Sequence, residues 1–245
     1  MVIRYNQFKF SVFILIVVLL KEIVDSYMSK VYSIREFTDR CLRTERWNGN
    51  VVLMVMDAAF TSIGLNYFTV VVPKVVEFKK TFIDTGRIKN LRDLALFDIN
   101  EMRRIWQNRR SLVVSKEIAS YLSSLNLDDR KALRYWAKNS VLSEWKSDPI
   151  GSIKGVGLVT YQYLRMMGGV DTIMPDKVVK KVINEILIKA GYKPVNDDMV
   201  FIKKAEEIAI SCGYRPIELC WMTWFVQQEG ELMRLEKYAE FLDKI

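Results

Sequence analysis

The sequence predicts an all-α protein. Apolar residues recur at helical spacing through most of the chain, and strand-like alternation is scarce. Ser, Asn or Asp stands before one periodic run after another as a potential N-cap.

Taken in order, Phe10–Leu20 (FSVFILIVVLL) is a dense apolar run behind Arg4 and Lys9. It has the composition of a signal-peptide core or a short anchor. It is nevertheless too short to span a bilayer, and no small-residue cleavage site precedes Lys21 and Glu22. Residues 1–28 are read as an apolar N-terminal extension or a buried helix, with Met28 as an alternative initiator. Ser33 can cap a helix over Ser33–Arg43, with Glu36 at the capping-box position and Ile34, Phe37, Cys41 and Leu42 on one face. Asn50 can cap a second helix toward Ile63, with Gly64 as its stop. A third lies between Tyr67 and Phe82, where Pro73 either kinks it or marks its start. Val51–Val76 is apolar, but Asp57, Asn66, Pro73 and Lys74 interrupt it, as in soluble core helices.

Beyond the Thr85–Gly86 turn the pattern predicts two short helices, Asn90–Phe97 and Ile99–Trp106. The second is capped by Asp98 with Glu101 three residues on. Ser111–Leu125 makes another, and Asp128–Trp145 a longer one that ends before Asp148–Pro149. No internal repeat or Pro-rich linker separates these elements. They read as one compact all-helical body, with room for two lobes.

Half the residues are hydrophobic and 27% are charged, the balance of a globular protein. Lys and Arg outnumber Asp and Glu by 37 to 29, a formal charge of +8, which favours polyanionic partners. The chain has no histidine, so Ser-His-Asp and Cys-His nucleophile systems and His-containing zinc sites are excluded. Acid–base work falls to carboxylate, Lys, Tyr or Cys. Cys41, Cys212 and Cys220 are scattered without CxxC spacing and read as buried free thiols in a reducing cytosol, although Cys212 and Cys220 could pair.

The chemistry concentrates in Ile153–Val182. Gly155 and Gly157 flank Val156 between apolar Ile153 and a helical run with Val159, Tyr163 and Met166. Glycine at both positions permits positive φ and close backbone approach, so the next helix can direct its first N–H groups at a phosphate. Alone, this is equally a plain helix–helix turn. Downstream, Pro175 rigidifies the approach to Asp176, and Val178, Val179, Val182, Ile183, Ile186 and Leu187 continue as a buried stripe. Asp176 is thus a carboxylate at a helix start, which by itself is a cap.

These residues resemble the helix-hairpin-helix DNA glycosylases, the family of endonuclease III, the MutY-type adenine glycosylases and the alkylbase glycosylases. Ile153-Lys154-Gly155-Val156-Gly157-Leu158-Val159-Thr160 is similar to the hairpin half of the family motif, with Lys154 where proline is usual. Thr172-Ile173-Met174-Pro175-Asp176 and Lys177–Val182 are similar to the second half. The resemblance implies that Asp176 is the essential aspartate. Asp171 competes through its Val170-Asp171-Thr172 string, but it lies too close behind Val159 for the family loop. Val159 stands where members that also cleave the backbone carry a lysine nucleophile. The resemblance therefore implies a monofunctional enzyme, with Lys154 as a residual candidate for lyase chemistry.

The resemblance also implies a two-lobed fold, a helical domain over 50–173 containing the helix-hairpin-helix and a second lobe from 29–49 plus 174–245, with hairpin and aspartate beside a cleft that takes a flipped base. The implied activity is hydrolysis of the N-glycosidic bond of a damaged or mismatched base in double-stranded DNA. Asp176 would stabilise the sugar cation and position water. Lys154, Gly155, Val156, Gly157, Val159 and Thr160 would hold the backbone. The family's four-cysteine iron–sulfur loop is missing, so no cofactor is implied beyond a structural cation that the hairpin could hold. The expected setting is cytoplasmic and DNA-associated, not membrane-bound.

Outside the motif, Gln107-Asn108-Arg109-Arg110-Ser111 reads as a loop suited to filling a duplex gap and gripping phosphates, or as a solvated loop. Arg130, Lys131, Arg134 and Lys138 recur along one helix as a basic track or a soluble face. Among Tyr67, Trp106, Tyr161, Trp221 and Trp224, the residues taken for a base pocket are Tyr67 and Trp221, against the general tendency of tryptophans to be core. The alternatives to a glycosylase are a noncatalytic helix-hairpin-helix DNA-binding protein and a membrane-associated helical protein.

Overall fold

The structure is a computed structural model, and it describes residues 18–31, 33–242 and 245. Most of the apolar run at 10–20 lies outside the described residues, as do the expectations attached to residues 1–17. Residues 18–28 are helical (α1). They are followed by α2 Ile34–Leu42, α3 Val51–Thr61, α4 Val72–Phe78, α5 Leu91–Leu96, α6 Ile99–Met102, α7 Arg109–Ser124, α8 Asp129–Asn139 and α9 Leu158–Met167. Next come α10 Lys177–Lys189, α11 Asp198–Ser211, α12 Pro216–Phe225, a hairpin of β1 Gln228–Glu229 and β2 Leu232–Met233, α13 Arg234–Lys237 and α14 Ala239–Leu242. The fold is all-α, and its two-residue strands pair antiparallel with Gln228 opposite Met233.

The described residues form two compact units, one from those up to Thr38 together with Pro175–Lys237, the other from Asp39–Met174 together with those from Tyr238 onward. In the first, α1 buries Leu20, Val24 and Met28, one face at i, i+4 and i+8. The Lys189 ammonium donates to Tyr27 Oη at 2.9 Å, and Tyr214 Oη to Asp25 at 2.9 Å, which fixes the polar side of α1. Met28 is therefore the inner end of a packed helix. Val24→Ala is expected to cost about 1–3 kcal/mol, read by urea unfolding; an unchanged midpoint would mean α1 does not pack there. Among the described residues, no helix is long and apolar enough to cross a membrane. The unit's aromatic centre is Phe37 edge-on to Trp221 and Phe225, with ring centroids at 4.7 and 5.2 Å.

The second unit is built on α3, whose residues Val51–Phe60 are all buried. Asn50 caps it by accepting from Leu53 N, and Asn90, Asp98 and Asp128 cap α5, α6 and α8 in the same way. The helical run begins at Tyr67, where Asn66 accepts from Thr69 N, and passes without a break through α4, so Pro73 lies inside it; the N–H that proline lacks coincides with a π-helical turn at Tyr67–Val71, and a second such turn, Lys79–Ile83, follows α4.

Three boundaries differ from the sequence pattern. The helix expected over Asp128–Trp145 ends at Asn139, because Ser140 is extended and its hydroxyl accepts from the buried Arg165 Nε at 2.8 Å. The helix expected over Ile99–Trp106 is a single turn. The stretch Gln107–Ser111 is a loop only through Asn108, which accepts from Ser111 N at 3.0 Å, and Arg109 and Arg110 already open α7.

All three cysteines are free and buried, and burial pushes the Cys41 thiol up to about 12. One of them belongs to the second unit and two to the first, a donor set that does not fit a four-cysteine cluster.

Candidate active site

The glycine hairpin belongs to the second unit. Asp148 builds the turns that lead into it, accepting from Trp136 Nε1 at 3.0 Å and from Ile150 N at 2.8 Å. The two glycines serve different ends. Gly155 has φ +112, and a Cβ there would lie 2.8 Å from Val114 Cγ2 and 3.0 Å from Arg110 Nε, so the hairpin can seat on α7 only without a side chain. Gly157 does not need positive φ, contrary to expectation. Its backbone is extended (φ −104, ψ 169), it is exposed, and nothing lies within 4 Å of a Cβ placed on it. Gly157 is the N-cap of α9 and offers no side-chain acceptor, so the first N–H groups of α9 are left for an external one.

Lys154 is exposed and Val159 half-buried, whereas Val156 and Thr160 are buried. The Thr160 and Val156 side chains thus face protein, and only their backbone could meet a phosphate.

Asp176 opens α10 in the first unit. The preceding Pro175 is buried, and the carboxylate is half-buried. Oδ1 accepts from Val178 N at 2.9 Å and Val179 N at 3.0 Å. Both bonds reach one oxygen, and among the described residues Oδ2 has no hydrogen-bond donor. Burial pushes the Asp176 carboxyl above the usual range, against the N–H groups of Val179 and Val178 and the charge of Arg234, which pull it down. Arg234 is held by Glu229 through Nε at 2.7 Å and lies over the Trp224 ring at 5.5 Å. Asp171 is exposed and outside any helix.

The expected base-pocket residues are core residues. Trp221 is 1% exposed and packs against Phe37 and Phe225. Tyr67 is buried in a polar network that no local sequence pattern announces. Asp57 Oδ2 accepts from Arg46 NH2 at 3.1 Å, Trp47 Nε1 at 2.9 Å, Tyr67 Oη at 3.1 Å and Tyr163 Oη at 2.9 Å. Arg46 also donates to Tyr67 Oη at 2.5 Å. The Arg46–Asp57 pair is fully enclosed, with side-chain exposures of 1% and 0%. Burial pushes the Tyr67 hydroxyl up, so it remains a donor. Tyr163 lies on α9, so the network ties the hairpin's helix to α3.

A second buried set fixes the far end of α9. Gln162 Nε2 donates to Thr172 Oγ1 at 2.8 Å and Ile173 O at 2.9 Å, while its Oε1 accepts from Arg165 at 2.6 Å.

The expected basic track is partly structural. Arg130 donates to Arg43 O at 2.9 Å, and Arg134 to Leu42 O at 2.9 Å and Thr44 Oγ1 at 3.0 Å. These two guanidiniums hold the 42–45 segment, where the backbone turns into positive φ at Thr44 and, just beyond, at Trp47 and Asn48. Lys131 pairs with Asp128, and Lys138 is exposed.

The fold is similar to that of a solved DNA glycosylase. The structure superposes on the 8-oxoguanine DNA glycosylase of Thermotoga maritima with a TM-score of 0.52, over 84% of this chain and 97% of that one, at 13% sequence identity. No protein-family model matches the sequence, and no curated protein does.

Proposed function

We propose that the protein is a DNA N-glycosylase that hydrolyses the bond between a damaged or mismatched base and its sugar. The carrying observation is Asp176, whose Oδ1 is anchored by two backbone N–H groups while Oδ2 has no donor among the described residues, in a desolvated setting. A fixed carboxylate with one open oxygen suits the two needs of this reaction. It opposes the positive charge that develops on the sugar as the bond breaks, and it accepts a hydrogen bond from the attacking water. The water oxygen bonds to C1′, the C1′–N bond breaks, and the departing base takes a proton.

The hairpin supports the DNA half of the reading. The extended, unobstructed Gly157 is not required by the fold, and a Ser or Asp there would cap α9 better. What a bare N-cap gains is close approach of a phosphate to the α9 N–H groups. Gly157→Ser is expected to leave stability unchanged or higher by up to about 1 kcal/mol while weakening duplex binding. Parallel melting and filter-binding measurements check this, and equal binding by both proteins would remove the hairpin from the interface.

With Val159 at the position that carries the lysine in backbone-cleaving members, the enzyme is read as monofunctional. It leaves an abasic site and no strand break, and borohydride should trap no adduct. An adduct would point to a lysine such as Lys154. The comparison fold suggests 8-oxoguanine as the first lesion to try. A lesion-by-lesion duplex panel scored for base release tests the function. Duplex binding without release from any lesion would favour the noncatalytic hairpin module, in which Asp176 is a cap alone.

A further inference from the structure

Cations in the hairpin unit commonly have partners. Lys79 pairs with Asp84, Arg87 with Glu101, and Arg130 and Arg134 hold backbone carbonyls. Arg109, Arg110 and Lys154 are exposed, and among the described residues none of them makes an ion pair or hydrogen bond; unlike other exposed cations of the unit, the three share one site. Together with Val113, these three line a cavity of about 500 Å³, with no carboxylate among the lining residues.

The cavity is electrostatically unfavourable for the empty protein. Arg109 and Arg110 form the first turn of a sixteen-residue helix, the end where cations oppose the macrodipole, and that turn contains no acidic residue. Lys154 adds a third like charge from the hairpin. Gly155 permits the crowding, since a Cβ there would press on Arg110 Nε. Among the described residues, no acid pairs with these charges to offset their repulsion. Asn108, expected as a gap-filling amide, is occupied in capping α7, so the segment is arranged for charge rather than for insertion between bases.

We propose that this cavity is a phosphodiester seat, in which Arg109, Arg110 and Lys154 clamp a DNA backbone phosphate beside the hairpin. Two guanidiniums present planar forks to the non-bridging oxygens, and the ammonium adds a point charge. The bound anion relieves the repulsion at the start of α7. The seat rests on the DNA-binding half of the proposed function and is independent of base release.

The test uses a short undamaged duplex and the full chain, comparing wild type with the Arg109→Gln/Arg110→Gln/Lys154→Gln triple variant across a salt series. The expected result is an affinity loss of about tenfold or more and a plot of log affinity against log salt that is shallower by about 1 or more, with a melting temperature unchanged or raised. Arg109→Lys/Arg110→Lys should retain most of the salt dependence. An unchanged slope overturns the seat, and so does a triple variant that melts markedly lower, because the charges would then serve the fold. Inorganic phosphate forms a second arm. If it stabilises wild type but not the triple variant while the duplex slope is unaltered, the cavity is a free-phosphate site and the DNA assignment fails. Base release by wild type separates the two readings: release with an unchanged slope sinks only the seat, and no duplex binding by wild type sinks both.

Discussion

Asp176→Asn is expected to reduce base release by about a hundredfold or more while leaving the protein as stable as wild type within about 0.5 kcal/mol. The two effects separate because the carboxylate has two duties. As an N-cap it needs only an oxygen that accepts from Val178 N and Val179 N, which the Asn amide supplies as well as a carboxylate does. As a catalytic group it needs a negative charge opposite the sugar, which the amide lacks. Single-turnover assays and urea unfolding on the same preparation check both halves. Equal loss of stability and activity would assign Asp176 a structural role only.

Wild-type activity should also fall on the acid side at a pH above the ordinary carboxylate range, since burial raises the Asp176 carboxyl and only the ionised form works. The sign for stability is opposite. A carboxyl raised in the fold binds its proton more tightly there than in the unfolded chain, so this group disfavours the native state increasingly as pH rises through its folded value. Activity and this contribution to stability therefore move in opposite directions across the same window, and in Asp176→Asn both dependences should vanish.

The largest expected effect on stability lies at the Arg46–Asp57 network. Arg46→Ala leaves Asp57 as an uncompensated buried charge among Trp47, Tyr67 and Tyr163, and should cost about 3–5 kcal/mol, a large part of the roughly 5–15 kcal/mol that holds a typical domain. Tyr67→Phe removes one donor from an oxygen that has three others, and should cost nearer ~1 kcal/mol. Replacing both charges together, Arg46→Met with Asp57→Leu, should recover much of the loss, since desolvation offsets most of a buried pair's attraction. Chemical denaturation of the three variants checks the order. If Arg46→Ala were as mild as Tyr67→Phe, the pair would not be dry. Because Tyr163 takes part from α9, Arg46→Ala should also weaken duplex binding through the hairpin's helix.

Sequence legibility tracks the range of each interaction. The caps at Asn50, Asn90, Asp98, Asp128 and Asp176 are readable because each side chain bonds a backbone N–H two or three residues ahead. The all-α class is equally local, since helical spacing is written within each run. The glycines are half readable: the turn is evident, but the reason for each glycine is not. Gly155 answers to Val114 and Arg110 on α7, and Gly157 to nothing within the protein.

Arg46 and Asp57 give no signal of their fate, because Arg46 stands in a polar stretch and Asp57 looks like an interruption of an apolar run. Their joint partner Tyr163 is 106 positions from Asp57. The same distance effect turns Tyr67 from a stacking candidate into a core hydroxyl, and Arg130 and Arg134 from a binding track into braces for the 42–45 segment. Asn108 is the local signal that corrects the 107–111 loop, since it caps α7 by the same geometry as the others.

Base release by the wild-type protein decides whether it is a DNA N-glycosylase. Duplexes that each carry one lesion, 8-oxoguanine among them, are incubated with excess enzyme and scored for abasic sites before and after alkali. A glycosylase that works through Asp176 gives free base from at least one lesion, strands that break only after alkali, and loss of that release in Asp176→Asn with duplex binding intact. Binding without release from any lesion, or release that survives in Asp176→Asn, would contradict that mechanism.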